Sequence, residues 1–115
     1  MTPLTKAEIQ VLAQNAGFSG SDIDTASAIA LAESSGAPGA IGDITRGVSV
    51  GLWQINVLAH PEWQESELLD PATNARAAFS VFCQANRSFS PWTTFRTGAY
   101  KAFLDDTTVE TDAVI

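Results

Sequence analysis

Basic charge, cysteine and long apolar runs are all scarce in this chain, and each shortage removes a class of function. Six Lys and Arg stand against thirteen Asp and Glu, giving a formal net charge of −7 and an isoelectric point near 4.3. Nucleic-acid binding needs clustered cations to displace phosphate counterions. Here the six are scattered, so neither nucleic acid nor an anionic membrane surface is an expected partner. The single cysteine, Cys83, excludes an internal disulfide, and one thiol without local companions gives no support to a metal site. It is expected to pack as a small buried apolar residue on a helix. No apolar stretch reaches the roughly eighteen residues of a membrane span. The N-terminal "MTPLTKAEIQ" lacks the basic start and apolar centre of a signal peptide, so a soluble chain without an export signal is expected. The lone histidine, His60, precedes Pro61 and stands far from any Ser or Cys motif, so it reads as a turn residue.

What the chain does have is apolar and aromatic mass. With 45% hydrophobic residues, three Trp and six Phe in 115 residues, it has material for one core but not two. Thr5 followed three positions later by Glu8 forms a capping box that opens a helix through "KAEIQVLAQNA", and Gly17 suits its end. A second helix is expected from about Asp22 to Ser34, with Ile23, Ala26, Ile29, Ala30 and Glu33 at three- and four-residue spacings. The glycine-rich "GAPGAIGDITRGVSVG" reads as a loop with one short β-hairpin, and "LWQINVLA" as a short helix stopped before His60-Pro61. Asp70 as N-cap and Pro71 at the first position open a further helix with Ala75, Ala78, Phe79, Phe82 and Cys83 on its core stripe. "FSPWTTF" is an aromatic connection, and "RTGAYKAFL" a final helix. The expected product is a mostly α single domain over residues 1–104 with a minimal β-hairpin element, then an acidic, frayed tail over 105–115. Phe79, Phe82, Phe95 and Phe103 are assigned to the core.

One residue resists this pattern. In "AIALAESSGAPGA" the carboxylate of Glu33 ends a run of alanine, isoleucine and leucine, where a charge is costly unless paired or protonated. An acid that an apolar pocket keeps protonated is what general-acid chemistry uses, and the aliphatic run ahead of Glu33 is expected to supply that pocket.

The segments "AIALAESSGAPGA", "SVGLWQIN", "DPATNARAA" and "GAY", in that order, resemble the lysozyme-like fold of soluble lytic transglycosylases and goose-type lysozymes in the compact form of phage wall-degrading domains. The likeness runs over roughly residues 5–104. Two positions depart from the transglycosylase pattern: Trp53 stands where Met is frequent, and Lys101 follows Tyr100 where Asn is commoner. The resemblance implies that Glu33 protonates the β-1,4 glycosidic oxygen between N-acetylmuramic acid and N-acetylglucosamine. It favours Ser34, Ser49, Gln54 and Tyr100 as site residues; the Tyr100 hydroxyl either orients Glu33 or, in a core ring, bonds to backbone. Gly51 permits close backbone approach in the cleft floor. Trp53 is a candidate for stacking on sugar, as are Trp63, Trp92 and Phe89. Asn56 is either a substrate contact or a local backbone tie, and Asn74 reads as structural, fixing its helix start against a neighbouring loop.

Asp43, ten positions after Glu33, has two readings. It either activates water from the opposite sugar face, giving a hydrolytic muramidase, or satisfies loop backbone as an Asx turn. In the second case the sugar's own 6-hydroxyl attacks, and the enzyme is a lytic transglycosylase. Neither route needs a cofactor or metal. The partner is a peptidoglycan strand and a monomer is expected, acting either as a cytoplasmic phage endolysin or as a virion-associated enzyme. The alternative from another class is a catalytically silent wall-binding or virion structural module.

Overall fold

The computed structural model describes residues 2–42, 45 and 47–104. Helix α1 (Lys6–Ala16) opens on the Thr5/Glu8 capping box: the Glu8 N–H donates to the Thr5 hydroxyl and the Thr5 N–H donates to the Glu8 carboxylate. Gly17 ends it at φ 131°, where an added Cβ would stand 2.7 Å from the Phe79 ring. Helix α2 (Ser21–Ser34) carries a nearly continuous buried stretch from Ala26 to Ala30 and packs on α1, with a Lys6–Asp24 ion pair between them. Helix α4 (Pro71–Gln84) has Asp70 as N-cap and Pro71 at its first turn, as its sequence demands. Between α2 and α4 lie three two-residue strands, β1 (Ile41–Gly42), β2 (Ser49–Val50) and β3 (Ile55–Asn56), and the single-turn helix α3 (Glu65–Leu68). Helix α5 (Thr93–Thr97) and a 3₁₀ helix (Ala99–Phe103) follow α4.

The mostly helical, single-domain expectation therefore holds, with a sheet one strand larger than a hairpin. It is antiparallel in the order β1-β2-β3, and Ser49 faces Gly42 on one side and Asn56 on the other. Four local expectations are corrected. "LWQINVLA" is a turn and a strand: Gly51 and Gln54 take positive φ (82° and 48°), and the β-branched Ile55 pairs with Val50. The final helix is split, because Gly98 at φ 85° ends α5 and the chain resumes as 3₁₀. Cys83 is exposed, lying past the edge of the α4 stripe that ends on Val81 and Phe82. Phe103 is 40% exposed, while Phe18 and Phe89, at 2% and 6%, are the rings at the centre. Those two stack 5.8 Å apart and bracket Phe82, whose centroid lies 5.1 Å from Phe18 and 4.5 Å from Phe89. No helix among the described residues is long and apolar enough to cross a membrane. The tail 105–115 lies outside the described residues.

Asp70 shows how one cap responds to pH. Its carboxyl is held below its ordinary value of 3.8 by the Thr73 hydroxyl first and the Thr73 N–H second, with a smaller contribution from Arg76. A lowered carboxyl value stabilises the fold above the unfolded value, and that stabilisation is lost as pH falls through the folded one. Asp70→Ala should cost about 1 kcal/mol in urea unfolding at pH 7. The difference from wild type should shrink on acidification below pH 3.8.

Candidate active site

Glu33 lies in the last turn of α2, half-buried, with no basic residue in that turn to offset its charge. The negative end of the helix dipole makes this an unfavourable place for a carboxylate. It opens on a cleft of about 250 Å³ whose other walls come from three separate parts of the chain. The sheet supplies Ser49 and Asn56, the turn between β2 and β3 supplies Gln54, and the entry to α5 supplies Pro91, Trp92 and Thr93. The aliphatic residues before Glu33 do not line it; they face the core, and the cleft walls are mainly polar. A smaller cavity of about 150 Å³ shares Gln54, Asn56, Pro91 and Trp92 with the cleft and extends it to His60 and Val81.

The floor is held from behind. Gln54 donates both amide hydrogens to backbone, to the carbonyls of Ala40 and Gly51 at 3.0 Å each. Its side-chain oxygen sits over Gly42, 2.4 Å from where a Cβ would stand, so a larger residue there would displace the Gln54 amide. With both amide hydrogens engaged, Gln54 has its side-chain oxygen left to offer a ligand. Asn56 receives the N–H groups of Leu58 and Ala59 at 2.9 and 3.1 Å and donates to Gly47 O and Ser49 Oγ. It both lines the cleft and ties down the turn after β3. Ser49 accepts from Asn56, and its own O–H has no acceptor among the described residues.

Beneath this floor stands Asn74, fully buried at the start of α4. Its amide donates to Val50 O at 2.8 Å and Leu68 O at 2.9 Å, and its oxygen accepts the Trp53 N–H at 2.9 Å. The structural reading of Asn74 is thereby given its partners.

Three sequence candidates stand elsewhere. Trp53 is 1% exposed with its indole N–H donating to Ala26 O, so it is a core strut and presents no face to a sugar. Ser34 is buried, its hydroxyl donating to Ala30 O and accepting the Gly36 N–H, which closes the end of α2. Tyr100 is not among the cleft-lining residues; its ring stacks on Phe95 at 5.1 Å. The hydroxyl that meets Glu33 belongs instead to Thr94, which donates to Oε2 at 2.9 Å. Pro91, Thr93 and Thr94 carry no motif, and their approach to a residue some sixty positions earlier had no local signal. Asp43 lies outside the described residues.

A family model described as a lysozyme-like domain matches residues 10–94. The chain belongs to this lysozyme-like family. No curated protein and no solved structure matches it significantly. Membership places the chain with peptidoglycan-degrading domains of the glycosidase and transglycosylase class.

The Asn74 tie predicts a specific failure. Asn74→Asp keeps the shape but turns a donor pair toward acceptors, leaving two buried carbonyls facing a carboxyl group. A loss of at least about 3 kcal/mol in urea unfolding is expected, whereas Asn15→Asp on the exposed face of α1 should change little.

Proposed function

We propose that the protein cleaves the β-1,4 bond between N-acetylmuramic acid and N-acetylglucosamine as a lytic transglycosylase, with Glu33 as acid and then as base. The observation that carries this reading is the placement of Glu33 as the one carboxylate among the described residues of a polar cleft. Its proton passes to the glycosidic oxygen as the anomeric bond breaks. The carboxylate left behind takes a proton from the 6-hydroxyl of the same muramyl residue as that oxygen closes on the anomeric carbon. Ser49 supplies a hydroxyl and Gln54 a side-chain oxygen to sugar hydroxyl and N-acetyl groups, while Trp92 and Pro91 give the apolar edge against which a pyranose face packs. The extension toward His60 lets a strand continue past the reacting pair. No cofactor enters this chemistry. A monomer acting on the wall, whether released as an endolysin or carried on a virion, fits this activity.

Glu33→Gln is nearly isosteric and cannot deliver a proton, so it should reduce release of muropeptides from purified wall by at least about a thousandfold. Its melting temperature should equal or exceed the wild-type value, as befits a charge kept at a helix C-terminus for function. Wild-type lysis by this variant would end the assignment of Glu33, whereas absence of lysis by the wild-type protein would favour a silent wall-binding module.

Mass spectrometry of the released muropeptides decides the reaction class. Anhydro products, lighter than the hydrolytic ones by one water, are expected, together with near-normal activity of Asp43→Asn. Reducing-end products with a severe loss in Asp43→Asn would instead make the protein a muramidase in which Asp43 activates water.

A further inference from the structure

Among the described residues, the carboxylate of Glu33 has one side-chain hydrogen-bond partner, the hydroxyl of Thr94. Thr94 does not itself line the cleft, so it holds Glu33 without occupying the space a ligand would fill. Helix α5, on which Thr94 stands, is only five residues long, and Trp92 at its N-cap makes no side-chain cap bond. Its position must be set from outside.

Two buried tryptophans set it. The Trp92 indole N–H donates to Trp53 O at 2.9 Å, and the Trp53 indole N–H donates to Ala26 O at 2.9 Å. Ala26 and Glu33 are both on α2, about two helical turns apart and so on one face. The connection is therefore a closed ring, from α2 through Trp53, Trp92 and α5 back to α2 at the carboxylate. Methionine at position 53 would supply apolar volume but no N–H, so this ring depends on tryptophan there.

We propose that Thr94 is a positioning residue for Glu33, and that the Trp53–Trp92 strut keeps its hydroxyl within reach. Resting on the reading of Glu33 as the acid–base group, this gives the two carboxylate oxygens different work. Oε2 is engaged by Thr94, and Oε1 is the oxygen that delivers and recovers the proton. The carboxylate is ordered before substrate arrives, so that ordering is not paid at the transition state.

Thr94→Val keeps the branched shape and removes the donor, and Thr94→Ser restores the donor with less bulk. On soluble, peptide-stripped glycan strands, T94V should lose about tenfold to a hundredfold in kcat, with KM within about twofold and an unchanged melting temperature. T94S should recover most of the loss. A T94V enzyme as active as wild type, or an equal loss in T94V and T94S, would overturn the proposal. A crystal structure of T94V tests the same point without activity: the carboxylate should leave α5, and a carboxylate found in its original place would overturn it. In Trp92→Phe, the separation of Thr94 Oγ1 from Glu33 should exceed hydrogen-bond distance; retention near 2.9 Å would remove the strut. Failure of the wild-type enzyme to cleave any glycan would overturn the acid–base reading of Glu33, with both structural tests still decisive for Thr94.

Discussion

The side chain of Asn74 is the constraint on which the cleft depends. Around the turn at Gly51–Gln54 the Trp53 N–H, the Val50 carbonyl and the Leu68 carbonyl at the end of α3 all lie in the interior and turn toward the Asn74 side chain. Each such group left unpaired costs about 1–3 kcal/mol. One amide answers all three, and it does so from the first turns of α4, where Asp70 and Pro71 have already fixed the helix start. The glycine at 51 is part of the same fit. It takes φ 82°, and any Cβ there would stand 2.2 Å from the Asn74 nitrogen. With that turn fixed, Ser49, Gln54 and Asn56 are delivered to one side of the sheet and Trp53 to the other.

The separation of polar from apolar follows from this geometry. Residues 49–56 send Val50, Leu52, Trp53 and Ile55 into the core and leave Ser49, Gln54 and Asn56 on the cleft. Alternation alone does not do this, because Leu52 and Trp53 are consecutive and both buried; the turn rotates the chain between β2 and β3. Helix α2 behaves in the same way. Ala26 through Ala30 are all buried, and Glu33 emerges only in the last turn, where the helix runs out of the core and into the cleft.

The longer helices with local boundary signals were legible in the sequence, while the single turn α3, with its Gln64/Glu67 capping box, was not read. The Thr5/Glu8 box, the Gly17 stop and the Asp70-Pro71 start each name their own boundary, and α1 and α4 appear where those signals put them, while α2 follows its apolar spacing. Glu33, Ser49, Gln54 and Asn56 were legible as candidates through the order of their motifs, and the four line one cleft. What was illegible depends on distant partners. "LWQINVLA" has helix-compatible spacing, but Asn74, some twenty residues later, takes the Trp53 N–H and the carbonyl of Val50 just ahead of the segment. Tyr100 was expected beside the acid because its "GAY" segment resembles the family's motif. Threonine 94 fills that place through a helix too short to announce itself, held by tryptophans that pair across thirty-nine residues. Trp53 misled for the opposite reason: an amphipathic ring beside a site motif suggests stacking, and only its bond to Ala26 shows that its polar end points inward.

The acidic balance bears on how such a cleft works. Glu62, Glu65 and Glu67 are all exposed, and a wall polymer bearing carboxylates is itself anionic, so long-range attraction does not bring the two together. Affinity must then come from contacts at close range, where net charge counts for little and shape and hydrogen bonding count for more. The cleft is suited to that regime. Its floor is tied by Asn74 and Asn56, its rim by the Trp92 bond to Trp53, and its one described carboxylate by Thr94. Little ordering is left to be done when a strand arrives. A domain this small, with a few short elements around one aromatic core, can hold a site rigid only if the residues that brace the core also brace the cleft. Trp53 and Asn74 meet that condition: both are buried, Trp53 accepts from the cleft residue Trp92, and Asn74 holds the turn that carries Gln54.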